Sequence, residues 1–198
     1  GDLILGVNLG KNKDTPLEAA ERDYIGLLRC FAGLADYAVV NVSSPNTLGL
    51  RRLQRRKALA ALLGSIERRR QEEAIRMPRL VKLAPDLTDE ELEAALDAIL
   101  STGMDGVVAT NTTTTRHGLR APLASETGGL SGEPLRQCST QIVRQISRLT
   151  GGKLPIIGVG GGDDCRPCAG EAGCRGEPRP NLHRAGLQGT RPGQAYPD

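Results

Sequence analysis

The sequence predicts an α/β architecture, with short buried strands alternating with helices around a parallel sheet. Three observations carry that expectation. Runs rich in Val, Ile and Leu recur at residues 3–7, 38–40, 80–83, 106–109 and 155–159. The segments between them show helical periodicity and helix-start signals, the mark of repeated βα units. Each run then gives way to polar or glycine-rich residues, the place where parallel α/β sheets present ligand-binding groups.

The first run, Leu3-Ile4-Leu5-Gly6-Val7, leads into Asn8 and Lys11. Thr15-Pro16-Leu17-Glu18 follows and reads as a capping box, with the Thr15 hydroxyl as N-cap, Pro16 at the first helical position and Glu18 reciprocating. The second run, Ala38-Val39-Val40, passes directly into Asn41-Val42-Ser43-Ser44-Pro45-Asn46. The third holds Lys82 inside an apolar strand. A second capping box, Thr88-Asp89-Glu90-Glu91, then precedes the helical spacing of Leu92, Ala95, Leu96 and Ile99. The fourth run ends in Thr110-Asn111-Thr112-Thr113 and the fifth in Gly158-Val159-Gly160-Gly161. Polar strand ends suit a (β/α)₈ barrel, but a doubly wound open sheet also binds ligands there, so the pattern alone leaves both architectures open.

Composition narrows the function classes. The chain has 198 residues, 38% hydrophobic and 25% charged, which allows one domain or part of a larger one. No apolar stretch reaches the roughly 20 residues of a membrane span, and no basic-then-apolar signal sequence opens the chain. The first residue is Gly1 and a strand-like run begins at once, so the chain is expected to start within a domain. Net charge is +3, with the cations concentrated at Arg51, Arg52, Arg55, Arg56 and Lys57 and again at Arg68-Arg69-Arg70. Both clusters read as solvated helix faces. Aromatic residues are only 2% of the chain, which removes the stacking platforms of single-strand binders and argues against nucleic acid as a partner. Cys30 and Cys138 lie far apart, as in a reduced protein, whereas Cys165, Cys168 and Cys174 crowd the tail.

The candidate chemistry lies at the strand ends. A turn needs only one or two of Asn, Ser and Pro. Here Asn8, Asn41, Asn46 and Asn111 recur at successive strand ends, which favours a shared ligand over four unrelated turns. A carboxamide offers two donors and an acceptor without charge. Lys82 within an apolar strand calls for a counter-charge, because an unpaired buried ammonium is costly; a snorkelling surface lysine is the alternative. The glycines at 158–161 would be a weak signal by themselves.

Six blocks together are specific: Gly6-Val7-Asn8-Leu9-Gly10-Lys11-Asn12-Lys13, Asn41-Val42-Ser43-Ser44-Pro45-Asn46-Thr47, Val81-Lys82-Leu83-Ala84-Pro85-Asp86, Ala109-Thr110-Asn111-Thr112-Thr113, Thr127-Gly128-Gly129-Leu130-Ser131-Gly132 and Pro155-Ile156-Ile157-Gly158-Val159-Gly160-Gly161. In order and approximate spacing they resemble the signature blocks of dihydroorotate dehydrogenases. The resemblance implies a TIM barrel that binds FMN and oxidises dihydroorotate to orotate in pyrimidine (UMP) biosynthesis. It gives Ser44 the place of the catalytic base, and serine rather than cysteine there resembles the class 2 enzymes, which pass electrons to quinone. It makes Asn8, Asn41, Asn46, Asn111 and Thr112 substrate-binding, and Asn8, Asn41, Lys82, Thr110, Gly132 and Gly161 cofactor-binding. It implies no metal. Contact with a membrane is implied only through a helical domain ahead of this sequence, placing the protein peripherally on the cytoplasmic side of the inner membrane in a bacterial-type relative. A serine hydroxyl is a poor base unaided and needs a proton-accepting relay.

The expected domain organisation is a partial barrel over 1–161, about five of eight βα units, followed by an irregular tail over 162–198. Two early strands with a substrate lysine, the quinone-binding domain and the last strand with its phosphate-holding backbone lack counterparts in the sequence. Such a fragment is expected to be inactive alone, soluble or aggregated. The tail is rich in Gly, Pro and Arg and has no Val, Ile, Phe or Lys, so it cannot bury a core. One reading of it is a zinc site from Cys165, Cys168, Cys174 and His183, weakened by the unusual spacing of the second pair. The preferred reading is a reading-frame change. Permitted codons from about Cys168, read one base later, can spell Ala-Arg-Glu-Lys-Leu-Asp-Ala-Gly-Ala-Ser-Leu-Val-Gln-Ile-Tyr-Thr-Gly, which resembles the family's continuation. Two further alternatives are a non-catalytic fragment and a related FMN barrel acting on another pyrimidine; Ser44, in place of that enzyme's cysteine, argues against the second.

Overall fold

The computed structural model describes residues 3–116 and 126–161. Five strands, β1 (Gly6–Leu9), β2 (Tyr37–Asn41), β3 (Arg79–Leu83), β4 (Gly106–Ala109) and β5 (Ile156–Gly158), form one sheet in sequence order. All four pairings are parallel, with Asn8 beside Val39, Asn41 beside Lys82, Lys82 beside Val108 and Val108 beside Ile157. Four helices make the crossovers: α1 (Ala20–Phe31), α2 (Arg56–Glu72), α3 (Asp89–Ser101) and α4 (Arg136–Leu149). Each expected strand is present. The first is shifted, because Leu3, Ile4 and Leu5 are exposed and the ladder begins at Gly6.

Period-two alternation divides the sheet. Leu9, Ala38, Val40, Val81, Leu83, Val107 and Ala109 point to the helices and pack with Leu28, Leu63, Ile66, Leu92, Ile99 and Ile146 into the main core. Burying a side chain of this size is worth about 1.5–3 kcal/mol, so this layer dominates the stability of the fold. The other face carries a small apolar patch of Val39, Leu80 and Val108, with Tyr37 and Ile157 against it. Asn8, Asn41 and Lys82 share that second face by register, and Thr110 follows two residues after Val108.

One of the two expected helix starts forms as read. Thr88 Oγ1 accepts from the Glu91 N–H at 3.2 Å while Glu91 Oε2 accepts from the Thr88 N–H at 3.0 Å, a complete capping box for α3. The box at Thr15 does not form. Residues Leu17–Ala19 make a 3-10 turn without side-chain capping and α1 starts only at Ala20. The physical reason is competition: the Thr15 hydroxyl bonds the Asp23 carboxylate, holding it below its ordinary value, and the Asn12 N–H joins at 2.8 Å.

The arginine clusters divide. Arg69 pairs with Glu72 at the surface of α2, in keeping with a solvated helix face, whereas Arg70 and Glu67 pair partly buried. Arg51 departs from that expectation and turns inward. It lies in the 3-10 turn Leu50–Gln54 that precedes α2, held there by buried Leu50, Leu53 and Gln54. Among the described residues, no helix is long and apolar enough to cross a membrane.

Candidate active site at the strand ends

The C-terminal ends of β2 and β4 converge through a carboxamide network. Asn41 Oδ1 accepts from the Ser43 N–H at 3.3 Å, the Ser43 hydroxyl at 3.1 Å and Asn111 Nδ2 at 3.2 Å. Asn111 Nδ2 also donates to Ser43 Oγ at 3.0 Å, and Asn111 Oδ1 accepts from the Thr112 N–H at 2.8 Å. Ser43 is fully buried while Ser44 beside it is half-buried. The β2 end thus turns one serine into the network and leaves the next toward open space. Ser44 Oγ accepts the Asn46 N–H at 3.3 Å, an ST-type turn that fixes the hydroxyl relative to its own loop.

The remaining sequence-predicted residues fall into two groups. Asn8, Asn41 and Lys82 share the second sheet face, with Asn8 exposed and Lys82 half-buried, and Thr110 follows directly after the end of β4. Burial pushes the Lys82 ammonium below its ordinary value of 10.5, and no hydrogen bond or ion pair reaches it among the described residues. Thr110 is 1% exposed and its Oγ1 has no partner among the described residues, although its N–H bonds the Val159 carbonyl at 2.8 Å. Gly132 and Gly161 lie apart from these, at the N-terminal end of α4. Gly132, at φ +81°, has open space where a Cβ would project. Gly161, at φ +71°, is different: a Cβ there would come within 2.4 Å of the Arg136 backbone, so helix packing itself demands glycine. Asn46 is exposed and sits 3.3 Å from the place of a Cβ on Gly128. Gly129 lies so close to Thr112 Oγ1 and Pro45 that any side chain would collide, laying bare backbone over the Ser44 loop. Cys165, Cys168, Cys174 and His183 fall outside the described residues.

Sequence reasoning missed the scaffold beneath this network. Arg51 Nε donates to the Ser43 carbonyl at 3.1 Å, Nη1 to Asp86 Oδ2 at 2.6 Å and Nη2 to the Thr112 carbonyl at 2.9 Å. Asp86 also accepts from the Thr113 hydroxyl and from the Thr114 N–H at 3.2 Å. Burial raises its carboxyl, but the Thr113, Thr114 and Arg51 hydrogen bonds outweigh that and hold it below its ordinary 3.8. Tyr24, fully buried on α1, donates to the Asn41 carbonyl at 2.9 Å. Gln54 Oε1 accepts the Ala84 N–H at 2.9 Å. The available signals were Asp86 at a strand end and Tyr24 as one of the few aromatics, but nothing in the order of residues pairs them with their partners.

Chemically, the site offers uncharged hydrogen-bonding groups at the strand ends, a hydroxyl on a fixed loop and a desolvated cation below them. The family model described as "Dihydroorotate dehydrogenase" matches residues 2–165. A protein of Anaeromyxobacter dehalogenans (strain 2CP-C), named dihydroorotate dehydrogenase (quinone), is 51% identical over 158 residues, 79% of this chain and 43% of its own. One of the same name from Roseiflexus sp. (strain RS-1) is 49% identical over 160 residues, 81% of this chain and 44% of its own. A crystal structure of DHODH from Eimeria tenella in complex with ferulenol superposes with a TM-score of 0.75 and 41% identity, over 81% of this chain and 47% of that one. The chain therefore spans less than half the length of these relatives. Matched along most of its length, the chain belongs to the dihydroorotate dehydrogenase family.

Proposed function

We propose that residues 3–161 form the substrate side of a quinone-dependent dihydroorotate dehydrogenase that binds FMN and produces orotate for pyrimidine biosynthesis. The observation that carries this reading is the placement of Asn8, Asn41 and Lys82 on one sheet face beside the Asn41–Ser43–Asn111 network, with Thr110 just past the end of β4. The residues present fit the cofactor. Thr110 Oγ1 is a buried hydroxyl in need of a partner, Lys82 is a desolvated cation in need of an anion, and Gly132 leaves its side open. Lys82, Thr110 and Gly132 would hold it, with Asn8 and Asn41 at the boundary to substrate. When bound there, FMN would supply the hydride acceptor and the electron path toward quinone.

The chain's own residues orient the substrate and take its proton. Neutral carboxamides of Asn41, Asn46 and Asn111 hydrogen-bond the ring and carboxylate without placing a charge against the hydride step. Ser44 Oγ receives the proton from the carbon beside the ring carbonyl. As it does so its own hydroxyl proton passes to solvent water, and the Asn46 N–H at 3.3 Å steadies the partial negative charge the oxygen carries while that proton leaves. The quinone domain, the peripheral membrane contact on the cytoplasmic side and the family's continuation after Gly161 are assigned to sequence beyond the described residues, with 162–198 as a frame-altered replacement of that continuation. Reading the encoding DNA one base later tests the last point; a stop codon in place of barrel sequence refutes it.

The functional test is turnover by the relatives'-length enzyme. Dihydroorotate should reduce its bound flavin, and Ser44→Ala should slow that step about 10²–10⁴-fold while orotate affinity is kept. A Ser44→Ala enzyme as fast as the wild type removes serine from the role of base.

A further inference from the structure

Arg51 reaches three strand-end loops at once. Its Nε holds the Ser43 carbonyl at 3.1 Å, Nη2 the Thr112 carbonyl at 2.9 Å, and Nη1 the Asp86 carboxylate at 2.6 Å. Ser43 is therefore fixed at both ends. Its hydroxyl is held by Asn41 and Asn111, and its carbonyl by Arg51. That carbonyl belongs to the peptide joining Ser43 to Ser44, so the guanidinium sets the plane from which the Ser44 side chain departs. The same group fixes the carbonyl of Thr112, next to Asn111. Asp86 in turn is held by Thr113 and Thr114, which makes the anchor rigid.

We infer that Arg51 is a positioning residue for proton removal, aligning Ser44 with the substrate ring held by Asn111. The inference rests on the functional reading above. Lysine cannot replace it, because an ammonium is a point charge that lacks the planar fork needed to meet three acceptors in fixed directions. A displacement of about 1 Å at the reacting group costs on the order of 10²-fold in rate.

The test uses the relatives'-length enzyme with Arg51→Lys and Arg51→Ala, and dihydroorotate deuterated at the carbon that loses its proton. Arg51→Lys should lower kcat about 10–100-fold with KM for dihydroorotate nearly unchanged, the signature of an interaction needed only in the transition state. The deuterium isotope effect on flavin reduction should rise, because proton removal becomes slower. Orotate affinity, measured by calorimetry, should stay near the wild-type value, and millimolar guanidinium should restore part of the rate to Arg51→Ala. Wild-type kcat and isotope effect in Arg51→Lys overturn the inference. So does an Arg51→Ala enzyme whose loss of rate matches its loss of folded protein and which guanidinium does not rescue. Failure of the unsubstituted enzyme to oxidise dihydroorotate overturns the functional reading instead, and this role with it.

Discussion

At the scale of single residues, the site is built from groups whose hydrogen-bonding capacity is only partly used. Lys82 carries the clearest consequence. Its ammonium is depressed by burial and unpaired among the described residues. A lysine lowered in the folded state costs stability in full below its folded pKa, and that cost is relieved as pH rises toward the ordinary 10.5. Lys82→Met should therefore raise the Tm of the flavin-free protein at neutral pH and flatten this alkaline dependence, while weakening FMN binding at least about tenfold. Calorimetric melts and flavin titration check both halves. Asn41→Ala acts in the other direction. It strands the Ser43 hydroxyl and one Asn111 donor, and should cost about 1–3 kcal/mol in urea unfolding. That Lys82 lies within a strand and that Asn41, Ser44 and Asn111 lie at or just past strand ends was legible in sequence, because polar types stand out beside apolar runs. Arg51 was not, since a cluster with Arg52, Arg55 and Arg56 has the composition of a solvated helix face and only the fold turns one member inward.

At the scale of elements, local signals succeeded where no competing partner existed. The β-branched runs became strands because their alternate residues meet a helix layer, and Thr88 capped α3 because its oxygen stays free to accept the Glu91 N–H while its hydroxyl proton goes to Glu90. Thr15 had an equally good motif but found Asp23 instead, a contact that sequence order does not display. Thr88→Ala should then destabilise the protein by about 1 kcal/mol, whereas Glu18→Ala should change it by less than about 0.5 kcal/mol. Parallel urea titrations distinguish them. The loops after β2, β3 and β4 are joined through Asp86, whose carboxyl lies below its ordinary 3.8. A depressed carboxylate contributes stability that is complete above 3.8 and lost as pH falls through the folded value. Asp86→Asn should remove that acid dependence and loosen the strand-end loops together, seen as faster amide exchange at Ser44 and Thr112.

At the scale of the molecule, the strands stand in sequence order, with β1 and β5 each paired on one side only among the described residues. Unpaired parallel edges invite association with other chains. The 198-residue chain by itself is expected to show no measurable turnover and to scatter light increasingly as it is concentrated. Yellow, monodisperse protein that reduces a quinone dye with dihydroorotate would contradict this. The alternation of apolar runs with helical segments was enough to foresee a parallel sheet, since each βα unit reports its own strand and loop. What order alone could not show is the clamp between units, which forms between residues as distant as Arg51 and Thr112. The proposed meeting place of flavin and substrate is the sheet face bearing Asn8, Asn41 and Lys82, with Thr110 just past β4. A crystal structure of the relatives'-length enzyme with FMN and orotate tests it most directly. Flavin should contact Lys82 and Thr110, and orotate should lie between Asn41, Asn46 and Asn111 within reach of Ser44; ligands seated against the helix layer or elsewhere would refute the proposed site.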